Sequence, residues 1–552
     1  MREWGPKFSG YFPLQFHVLY RQFLLRVVDL ETLSIKADVI GFLGQFAGVL
    51  IMVSLIFAAY AFIDAFHVER SLISATMLAV GLVTVISWDA TFPDRRDVMV
   101  LSPLPVAPIT ILMAKVAASV SVLGLTVLAL NVAPGIVCAL ALGTEHGMHG
   151  GVLRSFAGYW FTMVAASVFL YCSVLTVQGL TALLLPRRVF LRLSAILQLV
   201  AFFLFIGAYF FLPEITTAAA MAAPANHQLL AWSPCFWFYA LCDSLSGSSP
   251  AAPMWLVWRA WIGTGIAVFG ASVSLLLCYV RTLRKTVEEP DLIPSARGPR
   301  WARLFGNSLA ATVVLFCIRS LARSRQHRVI LAFYLALVFA IAFATLRAVL
   351  SASAPHAVTA DFILATLMMM SFAVVGFRNV FSLPLSLNAN WVLRTTQMHS
   401  TRDYVAATRW ALILFAVIPV CGISAVLSLS FRPLRQTVLH LMILGLVGLI
   451  LADLSLIGFY KIPFTCSYLP GKSNIQFIFW GFLVLFVPLA MEVAGYEQRA
   501  LSDPLRLILI AGVLIVTEVG LWAFNRYRAA SAVLYFEELP PDEVTTLRLS
   551  TY

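Results

Sequence analysis

Few residues in this 552-residue chain have the types and spacing that chemistry needs. Pro470, Gly471, Lys472 and Ser473 read like the end of a phosphate-binding loop, but Cys466 stands where that motif needs its first glycine, and no strand pattern precedes it. Glu145, His146 and His149 contain a His pair at a spacing that shares a metal on a helix, yet Gly147, Gly150 and Gly151 point to a solvated turn. The eight cysteines are scattered with no metal-type pair spacing. Cys235 and Cys242, seven apart on a regular helix, would stand roughly 10 Å apart along its axis, too far for a disulfide unless the chain bends. Asp453, Glu492 and Glu518 are carboxylates in or beside apolar runs, and Glu518 is the deepest by position. Each costs about 2.5–3.5 kcal/mol at mid-bilayer on insertion scales, so such residues often serve proton coupling or substrate polarity, while Asp453 and Glu492 also read as hydrated span ends. No set of residues offers a general base, a nucleophile or a metal centre, so no covalent chemistry is expected of the chain.

The elements that must carry those residues are apolar: 61% of the chain is hydrophobic and only 12% charged, with mean hydropathy +0.90. A soluble domain is about half apolar and about a quarter charged. The expected fold is an all-α polytopic membrane protein. Net charge is +12 with pI about 9.5, and the arginines gather in short gaps between apolar runs. That is the pattern of positively charged cytosolic loops, and it removes the case for a nucleic-acid partner. The first residues, MREWGPKFSGYFPLQ, carry no apolar stretch with a cleavage site, so no removable signal peptide is expected.

Twelve spans are expected, at about 40–65, 72–88, 109–142, 157–185, 193–212, 255–279, 329–350, 360–377, 404–430, 437–459, 475–495 and 505–524. Residues 12–30 and 315–328 mix apolar side chains with arginines, as expected of interfacial elbow helices before the first span of each half. The uncharged segment 213–253 reads as short helices resting at the outer surface, with Trp232, Trp237 and Tyr239 in the headgroup zone. The polar run 281–307 divides the chain into halves 1–300 and 301–552. Twelve spans place both termini on one side, where most Arg-rich gaps also fall; Arg432, Arg435, Arg499 and Arg506 are the exceptions.

One stretch suits neither lipid nor water. Residues 92–116 combine Asp94, Arg95, Arg96 and Asp97 with Leu101, Leu104, Pro105, Val106, Ile109 and Leu112, and end on Lys115. A short amphipathic element with apolar knobs and flanking charges can bury itself in a partner's groove while the charges fix its rotation. The same stretch is also readable as an ordinary loop whose prolines start the next helix. Placing 104–115 over 398–409 is gap-free and sets Lys115 on Arg409. The second copy carries Met398, His399 and Ser400 in place of the Leu-Pro-Val run, followed by Arg402 and Asp403. With an even number of spans per half, the halves would be parallel repeats about an axis along the membrane normal.

The elbow, the six spans and the DRRD and LPV motifs at 94–97 and 104–106 with Lys115 resemble the permease domain of ABC transporters of the second exporter class. The resemblance implies two permease halves fused in one chain and residence in the bacterial plasma (inner) membrane with cytosolic termini. It implies that the loop between spans two and three couples to a separate ATP-binding cassette ATPase, in two copies. ATP is then used by the partner and no cofactor is bound directly. The coupling residues implied are Asp94, Arg95, Arg96, Asp97, Leu104, Pro105, Val106 and Lys115, with His399, Arg402, Asp403 and Arg409 as second-half counterparts. Three rival readings are a secondary transporter of parallel six-helix halves, a membrane enzyme acting on lipid-linked substrates, and a non-transporting membrane partner of an ATPase. The first rival's loop motif needs glycines, and none occurs between Trp88 and Met99.

Overall fold

Apolar runs bounded by Pro, Ser and Asp become helices, and no strand occurs among the described residues. The computed structural model describes residues 12–27, 39–87, 106–145, 150–211, 227–247, 254–288, 308–351, 358–385, 390–395, 399–429, 433–465 and 486–536. They fall into two compact units on either side of residue 295.

The first unit holds α1 (Phe12–Val27), α2 (Val39–Ala61), α3 (Ala65–Ile86), α4 (Pro108–Asn131), α5 (Pro134–Glu145), α6 (Gly150–Leu184), α7 (Arg187–Phe211), α8 (His227–Trp232), α9 (Pro234–Ser246) and α10 (Met254–Glu288). The second holds α11 (Leu309–Arg323), α12 (Arg325–Ser351), α13 (Ala360–Phe381), α14 (Asn390–Thr395), α15 (Thr401–Leu412), α16 (Ile418–Leu429), α17 (Leu434–Ser455), α18 (Val487–Ala500) and α19 (Pro504–Ser531). Eight helical stretches among the described residues are long and apolar enough to cross a membrane: within α3, α4, α6 and α10, and within α13, the α15–α16 rod, α17 and α19. The protein is thus an all-helical, multi-pass membrane protein.

Several boundaries differ from the sequence reading, each for a local reason. The second span starts at Ala65 rather than Leu72, because Asp64 caps it by accepting from the His67 amide at 3.0 Å. That draws Glu69 and Arg70 inside the unit, each 3% exposed. The expected third span, 109–142, is two helices: Pro134 cannot continue α4, and the freed amide of Ala133 donates to Ser54 Oγ at 3.2 Å. In the second unit Pro419 poses the same problem and meets a different solution. The turn Ile413–Val417 widens so that the Ile418 amide bonds Ile413 O, and the rod continues into α16. The second expected elbow, 315–328, is divided: α11 starts at the Ser308 cap and ends at Arg323, so Arg325 and Arg328 belong to α12.

The segment 213–253 departs furthest from expectation. Among its described residues Trp232 is exposed, but α9 is a core element, with Phe236, Phe238 and Tyr239 at most 1% exposed. It packs on α3, α6 and α10. Arg70 on α3 pairs with Asp243 at 3.1 Å, and Cys242 Sγ donates to Glu69 Oε1 at 2.9 Å. Aromatic area and paired charge together make burial cheaper than an interfacial position. Cys235 and Cys242 both lie on α9 as free thiols.

Candidate functional site: the loops between the second and third helices

The gap-free alignment of the sequence sets Lys115 on Arg409, and the structure shows what each touches. In the first unit α4 begins at Pro108 after Ala107, which offers no side-chain cap. Val106, immediately before, is half-buried, and Ile109 and Met113 are exposed. On another face of α4, Ala114 and Ala118 are fully buried beside Leu19 and Phe23 of α1. Two alanines one turn apart let helices approach closely. Lys115 is 2% exposed, its ammonium 5.1 Å from the centroid of the Phe23 ring. It is an internal cation next to the elbow, and no part of an accessible docking face. Asp94, Arg95, Arg96, Asp97, Leu104 and Pro105 lie outside the described residues.

In the second unit α15 begins at Thr401 under a reciprocal cap. Ser400 Oγ accepts from the Asp403 amide at 3.3 Å, while Asp403 Oδ2 accepts from the Ser400 amide at 3.3 Å. Asp403 is therefore engaged in starting the helix. His399 is exposed with its ring edge on Tyr404, and Arg402 is half-buried. Arg409 Nε donates to both oxygens of Asp453 at 2.8 and 3.0 Å, and its Nη2 donates to Glu518. The Asp453 side chain is 1% exposed, and Asn525 on α19 donates to the Asp453 carbonyl at 2.8 Å. Glu518, singled out from sequence as deep, thus belongs to a buried ion cluster that ties α15 to α17 and α19.

The two helix starts also correct the repeat register. Pro108 and Thr401 are the first helical residues. The buried alanine pairs Ala114/Ala118 and Ala407/Ala411 keep the same offset from them. On that register Lys115 matches Thr408, and Arg409 matches Val116. One residue turns a side chain by about 100° around a helix. Hence Lys115 reaches the elbow, whereas Arg409, about 200° from both Ala407 and Ala411, reaches away from the alanine face toward α17 and α19.

The loop before α15 rests on a platform that sequence reading missed. Phe464 has φ +67°, a left-handed backbone rare for a bulky residue. Its amide donates to Phe381 O at 2.9 Å and its carbonyl accepts from Leu385 at 3.0 Å. Its ring packs against Phe316, Phe381 and His327. His327 Nε2 also meets Leu383 O at 3.0 Å, and burial holds its imidazole below the ordinary pKa of 6.5. Asn390 donates to Thr465 O at 2.7 Å and so fixes the start of α14, which presents Trp391 at 67% exposure with Val392 and Arg394 also exposed. The exposed tryptophan was the available sequence signal. The partner that fixes its helix through Asn390 lies 75 residues away, beyond reach of any local pattern.

Among the described residues no group of three or more His, Cys, Asp or Glu side chains is placed to hold a metal. Residues 146–149 and 470–473, which carry the His-rich turn and the phosphate-loop-like run, lie outside the described residues. No protein-family model matches the chain, and no curated protein or solved structure matches it.

Proposed function

We propose that this chain is the membrane-spanning permease of an ATP-driven ABC exporter of the second exporter class. Both permease halves are fused in it, and two copies of a separate ATP-binding cassette ATPase drive it from the cytosolic side. The observation that carries this reading is the repeated arrangement of elbow and third helix. In each unit an amphipathic helix (α1 or α11) packs on the helix (α4 or α15) that comes after the loop between the second and third helices. A push on either loop is then delivered to the elbow and the third helix together.

Twelve spans fit this reading. Besides the eight helices of full apolar length, α2, α7 and α12 run 23, 25 and 27 residues, enough for roughly 34–40 Å of helix. The remaining span is that expected at 475–495, whose second part is the start of α18. In this reading the protein lies in a bacterial plasma membrane with both termini cytosolic, and ATP is consumed by the partner alone. The first-half dock is the stretch containing Asp94, Arg95, Arg96, Asp97, Leu104, Pro105 and Val106. The second-half dock is centred on α14 and His399, with Trp391 as its apolar knob. Lys115 and Arg409 hold the helices behind these loops, and Asp403 caps the second.

The test is purification from the native membrane with identification of co-eluting chains. An ATPase subunit is expected to co-elute; its absence, with gradient-driven transport by the chain alone, would sink the proposal. Leu104→Glu is expected to leave the chain folded and to abolish ATPase association.

A further inference from the structure

In the first unit α3, α6 and α10 set off from one side, and α9 runs against all three. On α3, Arg70 meets Asp243 at 3.1 Å and, one turn on, Ser74 meets the Tyr239 hydroxyl. On α6, Gly158 lies against Ser246, whereas Phe169, about three turns further along, packs on Trp237 and Phe238 at ring-centre distances of 5.9 and 5.5 Å. α10 runs with α6: Phe161 meets Trp261 at 5.6 Å, and Thr176 Oγ1 stands 3.3 Å from Ala267 O. α9 therefore starts deep among these helices and ends near their first turns.

α8 leads down to that start. His227 stacks on Trp255 at 4.6 Å, Arg259 donates to Ala231 O, and the Trp237 indole donates to the carbonyls of Leu230 and Ala231 at 3.2 and 3.1 Å. Trp237 itself reaches Gly263, where an added methyl would stand 3.0 Å from its ring. From His227 to Trp237 the chain thus descends along α10, and at Ser233 and Pro234 it turns back.

The exposed side chains of α10 fall in bands. Trp258 and Trp261 are exposed and Trp255 half-buried, all within about 9 Å of helix axis, and Trp232 of α8 is 85% exposed. Beyond Trp261 the large exposed side chains include Ile262, Ile266, Phe269, Leu276 and Leu277. The next charged residue, Arg281, follows Trp261 by about 30 Å of helix, the thickness of a hydrocarbon core. Indoles, then apolar surface, then arginine is the order in which a helix meets headgroups, acyl chains and headgroups again; a protein partner imposes no such order. Arg259 is exposed, 5.1 Å from the centroid of the Trp255 ring. Asp243, the one acidic residue between His227 and Arg281, is buried against Arg70. The exposed surface is therefore cationic and suits phosphate.

We propose that Trp232, Trp258, Trp261 and Arg259 form a ledge seated among phospholipid headgroups. At that depth α8 and α9 are a re-entrant hairpin, its turn at Ser233 and Pro234 below the headgroups and both its ends on one side. Backbone turning back at that depth needs protein around it, and α9 has α3, α6 and α10. The proposal needs only the multi-pass fold and stands apart from the ATPase partner.

The test uses the full chain in phospholipid nanodiscs, labelled with 5-fluorotryptophan, its signals assigned by Trp232→Phe, Trp237→Phe, Trp258→Phe and Trp261→Phe. Three probes are compared: a lipid with a gadolinium-chelate headgroup, a lipid with a nitroxide at its chain end, and a soluble gadolinium chelate. The Trp232, Trp258 and Trp261 signals are expected to be lost first to the headgroup metal. Trp237 is expected to lose relatively more to the chain nitroxide than Trp258 does. If neither lipid touches the Trp258 and Trp261 signals, a protein surface such as a second copy covers the ledge. Loss to the soluble chelate with none to the headgroup lipid puts the ledge in water. Either result overturns the proposal, and a Trp237 signal as headgroup-weighted as that of Trp258 overturns the hairpin. Should Trp237→Phe not fold, the three exposed positions decide alone.

Discussion

The two units treat a cation on their third helix, buried in the first and half-buried in the second, in opposite ways. Lys115 in the first meets the face of an aromatic ring on the elbow. Arg409 in the second is held by two carboxylates on later helices. A single-residue difference in register decides which neighbour each can reach. Lysine suits the first place, because a compact ammonium on a flexible stem finds a ring face. A planar guanidinium suits the second, because its Nε can serve one carboxylate while Nη2 serves another. In the first unit the third helix is locked to the elbow, far earlier in the chain; in the second it is also locked to α17 and α19, far later. Two loops built alike at their helix starts therefore rest on unequal foundations.

The largest test of that contrast is Arg409→Met, which strands two buried carboxylates and is expected to cost about 3–5 kcal/mol. Thermal unfolding in nanodiscs measures it, and adding Asp453→Asn with Glu518→Gln should recover most of the loss. If the single variant is as stable as the parent, the cluster does not hold the unit together. Next in size, Ala411→Leu and Ala118→Leu should each cost about 1–3 kcal/mol by overpacking a close helix contact. Similar losses at the two positions support the revised register, while a harmless change at one of them breaks it. Smaller still, Phe23→Leu keeps most of the apolar volume but removes the ring face from Lys115, for an expected loss of about 1 kcal/mol.

The smallest effect concerns His327. Its folded pKa lies below the ordinary 6.5, so the unfolded chain takes up the proton first as pH falls. Stability from this residue is complete above 6.5 and declines below it, and His327→Gln should flatten that acid limb.

Membrane character and helical class could be read from composition and spacing, because lipid imposes long apolar runs whatever lies around them. The positions of charge inside the bundle could not. Glu518 stood out from sequence because apolar residues flank it on both sides. Asp453 looked like a hydrated span end, yet it is 1% exposed, and only the position of Arg409, 44 residues earlier, explains why. Glu497 and His440 drew no attention, since a pair 57 residues apart leaves no local trace. α9 was misread because few charges and many aromatics suit an interfacial helix and a buried one equally well. Asp243 was the residue that distinguished them, through a partner 173 positions away.

That inserted helix also sets a clock. α9 is tied to α3 through Arg70 and Glu69, and Arg154 of α6 donates to the carbonyls of Leu245 and Ser244 at its end. Gly158 of α6 lets it come so near that an added methyl would stand 2.9 Å from the Ser246 amide nitrogen. α9 cannot leave its place without breaking contacts with two spans at once. Its amides should therefore exchange with solvent as one slow group, far behind those of the exposed loops. Any pathway passing through that end of the first unit would open at the pace of α9.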